Sequence, residues 1–274
     1  LNTLEHLPIK ESGVNSAKTI SLIAETMKRA YADRSEYLGD SDFVKVPMKE
    51  LMSKKYAKAI ADDVLKGDIT PAQTIKPAKL TPYESDQTTH YSVVDKEGNA
   101  VAVTYNLNFG SGIVAGNTGI LLNNEMDDFS SKPGTPNAFG LIGGSANAIE
   151  PNKRPLSSMS PTMVLKDGKP WLVTGSPGGA RIITTVLQQI INTIDFGMNA
   201  AAATNTPRFH HQWLPDELRL ELGFSPDTIQ MLENAGYKVS IKPSMGRTQT
   251  IQVIDDTMYG YSDPRNPDGA TLGY

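Results

Sequence analysis

Apolar residues recur every three to four positions in some stretches and alternate with polar ones in others, and these two rhythms divide the chain into elements. Ile20, Ile23, Met27 and Tyr31 line one face of a helix predicted over 16–33, with Asn15 and Ser16 as candidate N-caps. The YADRSEYLGD stretch behind it reads as a loop. A second helix is predicted from about Ser53 to Leu65, with Tyr56, Ile60 and Val64 on one side and Gly67 as its stop. From Asp68 to Gln87 the rhythm lapses and Pro71, Pro77 and Pro82 intervene, making this the most linker-like stretch and the best place for a cleavage boundary.

Strand signals dominate 90–124. Tyr91–Val94 and Val101–Tyr105 are β-branched, aromatic or small, and Asp95-Lys96-Glu97-Gly98-Asn99 between them carries turn chemistry. The Gly/Pro/Asn-rich stretch 130–152 is too long for an idle turn; loops of that length are lids or disordered. Strands are predicted at Met163–Leu165 and Trp171–Thr174 across K-D-G-K. After GSPGG comes a strongly apolar helix, with Ile182, Val186, Ile190 and Ile194 on one stripe and Ile183, Leu187 and Ile191 beside it, buried on more than one side. Ser225-Pro226 opens a further helix that Gly236 closes. Short strands Thr250–Ile254 and Met258–Tyr261 flank Asp255-Asp256. Periodicity supports an α+β chain and nothing finer.

A length of 274 residues suits one large domain or two small ones. Net charge of −4 gives no reason to expect nucleic acid or an anionic membrane as partner. No run approaches the roughly 18 apolar residues of a membrane span. With no cysteine, disulfides, thiolate-bound metal and a Cys nucleophile are excluded. The histidines stand at 6, 90, 210 and 211, and adjacent His210 and His211 do not share a helix face, so that pair is taken as structural and no metal site is expected. A G-x-S-x-G serine hydrolase motif does not occur.

Candidate chemistry begins at Thr88, at the mouth of the first strand in QTTHYSVVDKEGNAVAVT (87–104). A Thr hydroxyl is a poor nucleophile without a base beside it. Cutting the chain before the Thr supplies one, because the new α-amine, with a reference pKa of about 7.7–8, can accept the hydroxyl proton. From these residues alone, a Thr-Thr pair entering a strand reads first as plain strand.

The same segment resembles the processing-site signature of the γ-glutamyltranspeptidase (glutathione hydrolase) family of N-terminal-nucleophile hydrolases. The resemblance continues in family order through LLNNEMDDFS (121–130), PNKRPLSSMSPT (151–162), GSPGGARI (175–182) and PRFHHQWLPDEL (207–218). It covers nearly the whole chain and is closest to the enteric and related Gram-negative members. It implies a four-layer αββα sandwich, with 1–87 as the end of a large subunit, 88–274 as the whole small subunit and a further N-terminal portion of the large subunit as partner. It also implies a periplasmic or secreted location and no cofactor.

By resemblance, Thr88 is the nucleophile twice. It first attacks the carbonyl of Gln87 to split the chain. It then attacks the γ-glutamyl amide of glutathione or a related compound, and the acyl group passes to water or to an amino-acid or dipeptide amine. Gly178 and Gly179 match the family's oxyanion position; on their own they read as a strand-to-helix turn. Asp128 matches the site for the substrate ammonium, Glu125 a second contact to it, Ser157 and Ser158 the site for the carboxylate, and Asn108 the signature's asparagine. Without the family, Asp127-Asp128 reads as a solvated turn and Ser157-Ser158 as a loop bound to its own backbone. Pro133–Gly144 matches the lid loop, with Phe139 where a Tyr is common.

The signature departs from the family at one place. Thr-x-Thr-Leu-Asn, a one- or two-residue spacer, then aromatic-Gly is replaced by Thr104-Tyr105-Asn106-Leu107-Asn108-Phe109-Gly110. Either Asn106 stands where the second Thr assists the nucleophile, or Asn106 is itself the signature's asparagine; both alignments remove the auxiliary hydroxyl. Impaired processing or turnover is therefore expected. The competing readings are an uncleaved or inactive member and an acylase for β-lactam side chains. Asp128 opposes the acylase, because a bulky acyl group without an amine gains nothing from that carboxylate.

Overall fold

The computed structural model describes residues 1–75, 88–108, 110–130, 132–135 and 142–273. The chain forms two compact units, the first from 1–84, 125–157 and 209–243, the second from 85–124, 158–208 and 244–274.

Helices dominate the first unit: α1 (Ile9–Ser12), α2 (Ala17–Tyr37), α3 (Met48–Leu51) and α4 (Lys54–Val64). Ser16 is the cap of α2, its Oγ accepting the Thr19 N–H at 3.1 Å. The helix does not end near 33 as the sequence suggests. It runs to Tyr37, because nothing before Gly39 breaks it and Tyr31, Ala32 and Ser35 continue the buried face of Ile20, Ile23 and Met27. Ser53 caps α4, but the buried face there is Ala57, Ala61 and Val64, while Tyr56 turns outward and its hydroxyl donates to Asp33. Small alanines let α4 lie close to α2, and Tyr56 is too large for that seam.

Three very short strands complete this unit and were not anticipated. β5 (Phe209–His210) pairs antiparallel with β6 (Leu218–Leu220), which pairs parallel with β7 (Val239–Ile241). The crossover between β6 and β7 carries α7 (Pro226–Asn234), capped by Ser225. Two or three residues give no readable alternation, so burial of Leu218, Leu220 and Leu232 had to define them.

In the second unit, β1 (Thr88–Val94) and β2 (Ala100–Asn106) form the predicted hairpin, with Thr88 opposite Asn106 and His90 opposite Thr104. The Asp95 Oδ1 accepts the Asn99 N–H at 2.8 Å inside the turn, and Gly98 supplies the positive φ there. The strand signal beyond Asn106 is not realised: the described residues of 107–124 are irregular, with an isolated bridge between Val114 and Leu121. Gly110, Gly112, Gly116 and Gly119 all have positive φ, which no strand accommodates.

The larger sheet of this unit runs β3-β4-β8-β9, from β3 (Thr162–Lys166), β4 (Lys169–Thr174), β8 (Gln249–Ile254) and β9 (Thr257–Ser262), antiparallel throughout. Two helices follow β4. These are α5 (Ile182–Ile194) and α6 (Ala200–Asn205), the latter capped by Asn199. On α5, Ile182, Val186 and Ile190 pack with Met159, whereas Ile194 is half exposed. The other buried side of α5 is polar, formed by Thr184, Thr185, Gln188, Gln189, Asn192 and Thr193. The predicted burial on more than one side holds, but half of it is hydroxyl and amide, bonded in part to the helix itself, as Thr193 Oγ1 is to the Gln189 carbonyl.

Candidate active site

Thr88 opens β1, half-buried, and side-chain alternation places it on one face of the hairpin with His90, Ser92, Thr104 and Asn106. Polar groups thus form a row behind it. The opposite face carries Tyr91, Val93, Val101 and Tyr105, all exposed in this chain.

Asn106 lies directly across from Thr88, but both ends of its amide are engaged elsewhere. Its Oδ1 accepts the Asn108 N–H at 2.6 Å, and its Nδ2 approaches the Met159 sulfur at 3.6 Å. Asn108 is buried with φ of 54°; its Nδ2 donates to the Asn124 carbonyl at 3.3 Å, and its Oδ1 has no hydrogen-bond partner among the described residues. A buried amide oxygen left unpaired is a standing acceptor for an incoming N–H.

The GSPGG loop begins at the end of β4 and starts hard against this row. A side chain at Gly175 would put its Cβ 2.2 Å from the His90 ring. Ser176 then fixes the loop twice, donating to the Pro177 carbonyl at 2.7 Å and accepting the Arg247 N–H at 2.8 Å. Gly178 and Gly179 have φ of 136° and 55°, conformations that L side chains rarely adopt. They do not enter α5 directly, as the sequence implied. One 3-10 turn, Gly179–Arg181, comes first. N–H groups at such a helix start have no intrahelical acceptor and can meet developing negative charge.

In the other unit, Glu125–Asp128 is a 3-10 turn. Burial, reinforced by the neighbouring Glu125, pushes the Asp128 carboxyl up to about 7, against the opposing charge of Arg34. Burial likewise lowers the Arg34 guanidinium below its ordinary value, with Tyr31 and Asp128 acting the other way. Asn147 ties this turn to the serine loop: its Nδ2 donates to the Asp128 carbonyl at 2.8 Å and its Oδ1 accepts the Leu156 N–H at 2.9 Å. Arg154, in the same loop, is held by Asp40 through its N–H and Nε, both at 2.9 Å. The Arg154 guanidinium holds the Asp40 carboxyl well below the usual carboxylate range. Ser157 is exposed and Ser158 half-buried.

Of the predicted residues, Thr88, Asn106, Asn108, Ser158, Gly178 and Gly179 fall in the second unit, and Glu125, Asp128 and Ser157 in the first. Gln87, Phe109, Phe139 and half of the predicted lid (136–141) lie outside the described residues. Sequence reasoning missed Arg34, Asn147 and the contact of His90 with Gly175, since no local motif marks them. His210 and His211 are both buried; His210 pairs with Gln212 at 2.8 Å and meets Tyr31 edge-on. Among the described residues no group of three His, Cys, Asp or Glu could hold a metal, and no helix is long and apolar enough to cross a membrane.

A sequence model described as Gamma-glutamyltranspeptidase matches residues 1–273. The glutathione hydrolase proenzyme of Escherichia coli (strain K12) is 65% identical over 277 residues, covering 100% of this chain and 48% of that protein. The chain therefore spans about half the length of the curated relatives it matches. A crystal structure of the T380A mutant of Helicobacter pylori gamma-glutamyltranspeptidase aligns with a TM-score of 0.64 at 58% identity, covering 65% of this chain and 100% of that one. Cephalosporin acylase from Bacillus halodurans aligns with a TM-score of 0.76 at 27% identity, covering 100% of this chain and 49% of that one. The α+β class and the N-terminal-nucleophile hydrolase sandwich expected from the resemblance agree with these folds.

Proposed function

The chain belongs to the γ-glutamyltranspeptidase family, and from that premise we propose that it is the catalytic portion of a self-processing γ-glutamyl transferase and hydrolase, with Thr88 as nucleophile. Thr88 Oγ attacks the Gln87 carbonyl carbon, the peptide nitrogen leaves as the Thr88 α-amine, and the resulting ester is hydrolysed to a free Gln87 carboxylate and a free hydroxyl. In turnover the α-amine takes the hydroxyl proton as Oγ attacks the γ-carbonyl of glutathione or a related amide. The N–H groups of Gly178 and Gly179 stabilise the oxyanion, and the proton passes to the departing amine. Water or an amino-acid or dipeptide amine then accepts the γ-glutamyl group.

Asp128, with Glu125 beside it, receives the substrate ammonium; Ser157 and Ser158 receive the carboxylate, and Asn108 is a further substrate contact through its accepting Oδ1. The boundary between Gln87 and Thr88 divides the large-subunit portion (1–87) from the small subunit (88–274). An N-terminal portion of the large subunit, supplied by the rest of the protein in its half-matched relatives, is the partner, and the location is periplasmic or secreted.

The observation that carries this reading is Thr88 heading β1 on the polar face of the hairpin, in a unit that also holds the Gly178-Gly179 turn. Intact-mass measurement tests it. The protein should separate into two pieces divided before Thr88, and Thr88→Ala should remain one piece and release no amine from a γ-glutamyl anilide. Maturation and turnover that survive Thr88→Ala overturn it.

A second reading, a folded but uncleaved member, is favoured by Asn106, whose amide is occupied by Asn108 and Met159 rather than aimed at Thr88. The same mass measurement separates the two. The acylase reading draws on the likeness to cephalosporin acylase, but the Asp128 carboxylate suits an amine-bearing acyl group.

A further inference from the structure

We propose that His90 is a positioning residue: its neutral ring, protonated on Nε2, locks the strand that carries Thr88 to the loop that carries Gly178 and Gly179. The inference rests on the Thr88 reading for its catalytic meaning, but its geometry stands independently.

Four polar groups form a chain with only one consistent proton order. Ser92 Oγ has a single proton, and it goes to the Gln249 carbonyl at 2.9 Å. The same oxygen lies 3.1 Å from His90 Nε2, so there it must accept, and Nε2 must carry hydrogen. His90 Nδ1 is then a bare lone pair, and Thr104 Oγ1, at 2.7 Å, donates to it. The sequence Thr104 O–H to Nδ1, Nε2–H to Ser92, and Ser92 O–H to the Gln249 carbonyl saturates the ring. Burial pushes the imidazole down to about 4, so it stays neutral in neutral solution.

The ring also has a mechanical contact. Gly175, first residue of the glycine loop, comes so close that an added Cβ would lie 2.2 Å from Cε1 and 2.3 Å from Nδ1. Gly175 is absent from the positive-φ glycines, so the requirement there is space rather than backbone freedom. The circuit closes through Gln249, whose N–H donates to the Gly175 carbonyl at 3.2 Å while its own carbonyl holds Ser92. His90, Ser92, Gln249 and Gly175 therefore form one closed ring of contacts. It lies two residues from the hydroxyl of Thr88 and three from Gly178. A hydroxyl and an oxyanion donor must hold their separation closely for catalysis, and this ring is the contact that fixes one to the other.

The test uses the full chain, isotopically labelled, at pH 7. Proton–nitrogen correlation of the His90 ring should show a protonated Nε2 and a bare Nδ1. Thr104→Val removes the donor to Nδ1 at nearly constant shape. It should leave Nε2 protonated, because Ser92 still accepts there, and speed amide exchange in 175–182 about tenfold, the effect of one lost hydrogen bond. Ser92→Ala, which removes the Nε2 acceptor, should instead populate the other tautomer, with Nδ1–H donating to the Thr104 hydroxyl, and gives the same faster exchange if Thr104→Val folds poorly. In the enzyme completed with the rest of its large subunit, both variants should lower kcat about tenfold with KM unchanged. A parent ring found protonated on Nδ1, or unchanged exchange in 175–182 in both variants, overturns the proposal. If instead Thr88→Ala leaves maturation intact while these signatures hold, the nucleophile assignment fails and the His90 lock survives as a structural coupling.

Discussion

Lys28 is a cation that is 1% exposed in the middle of α2, and replacing it with Met exposes what that burial demands. Its Nζ lies 2.7 Å from Glu25 Oε1, donates to the Thr70 carbonyl at 2.9 Å and stands 4.9 Å above the Tyr237 ring. Methionine fills the same length without the charge, so the loss is electrostatic rather than a cavity. Removing one member of a buried ion pair costs about 3–5 kcal/mol, because the other is left uncompensated. Here Glu25 keeps Arg29 at 2.9 Å and the Tyr237 hydroxyl at 3.1 Å, which favours the lower end. The unpaired Thr70 carbonyl adds about 1 kcal/mol. Lys28→Met should therefore destabilise the first unit by about 3–4 kcal/mol.

The assay is built into the sequence, which has two tryptophans. Trp213 is buried in the first unit and its indole N–H donates to the Ala72 carbonyl at 2.8 Å. In a Trp171→Phe background its fluorescence follows that unit through a denaturant titration. Adding Glu25→Gln to Lys28→Met should recover part of the loss, since a buried carboxylate left with one cation in place of two disappears. A cost for Lys28→Met below about 1 kcal/mol, or strict additivity of the pair, refutes the reasoning.

Asn106→Thr restores a hydroxyl opposite Thr88 and removes the amide that holds Asn108; one regained hydrogen bond predicts about tenfold faster processing, read by the time course of intact mass. Asp128 has its folded-state pKa raised to about 7. The folded chain therefore binds that proton more tightly than the unfolded one, so its contribution is most favourable below about pH 4 and is lost as pH rises towards 7. Ammonium binding needs the ionised form, so calorimetric affinity for a γ-glutamyl amino acid should rise across neutrality, and Asp128→Asn should abolish the rise. Asp263 shows the opposite sign: burial raises its pKa, but Arg208 at 2.6 Å, the Arg265 N–H and Arg265 at 3.1 Å outweigh it and leave it lowered. Asp263→Asn should cost about 3 kcal/mol at pH 7 in denaturant unfolding, and the gap to the parent should close as pH falls below about 4.

Local chemistry was legible in the chain before any coordinates. The Ser16 and Ser225 caps, the Asp95–Asn99 hairpin turn and the placement of Thr88 at a strand mouth all depend on bonds spanning a few residues. The ordered motifs also marked Gly178 and Gly179, whose positive φ only glycine satisfies readily. Tertiary contacts decided the rest. The run of α2 to Tyr37, the alanine seam of α4, the polar buried side of α5 and the strands β5 to β7 each answer to a partner distant in sequence. So do the Arg34 charge near Asp128, the Asn147 tie to Leu156 and the seating of Gly175 against His90. Caps and turns close their hydrogen bonds within one turn of chain, so residue order suffices to specify them. Burial, ring contacts and charge neighbours arise only when segments as far apart as 90 and 175 are packed together, and no period in the sequence records which segments those are.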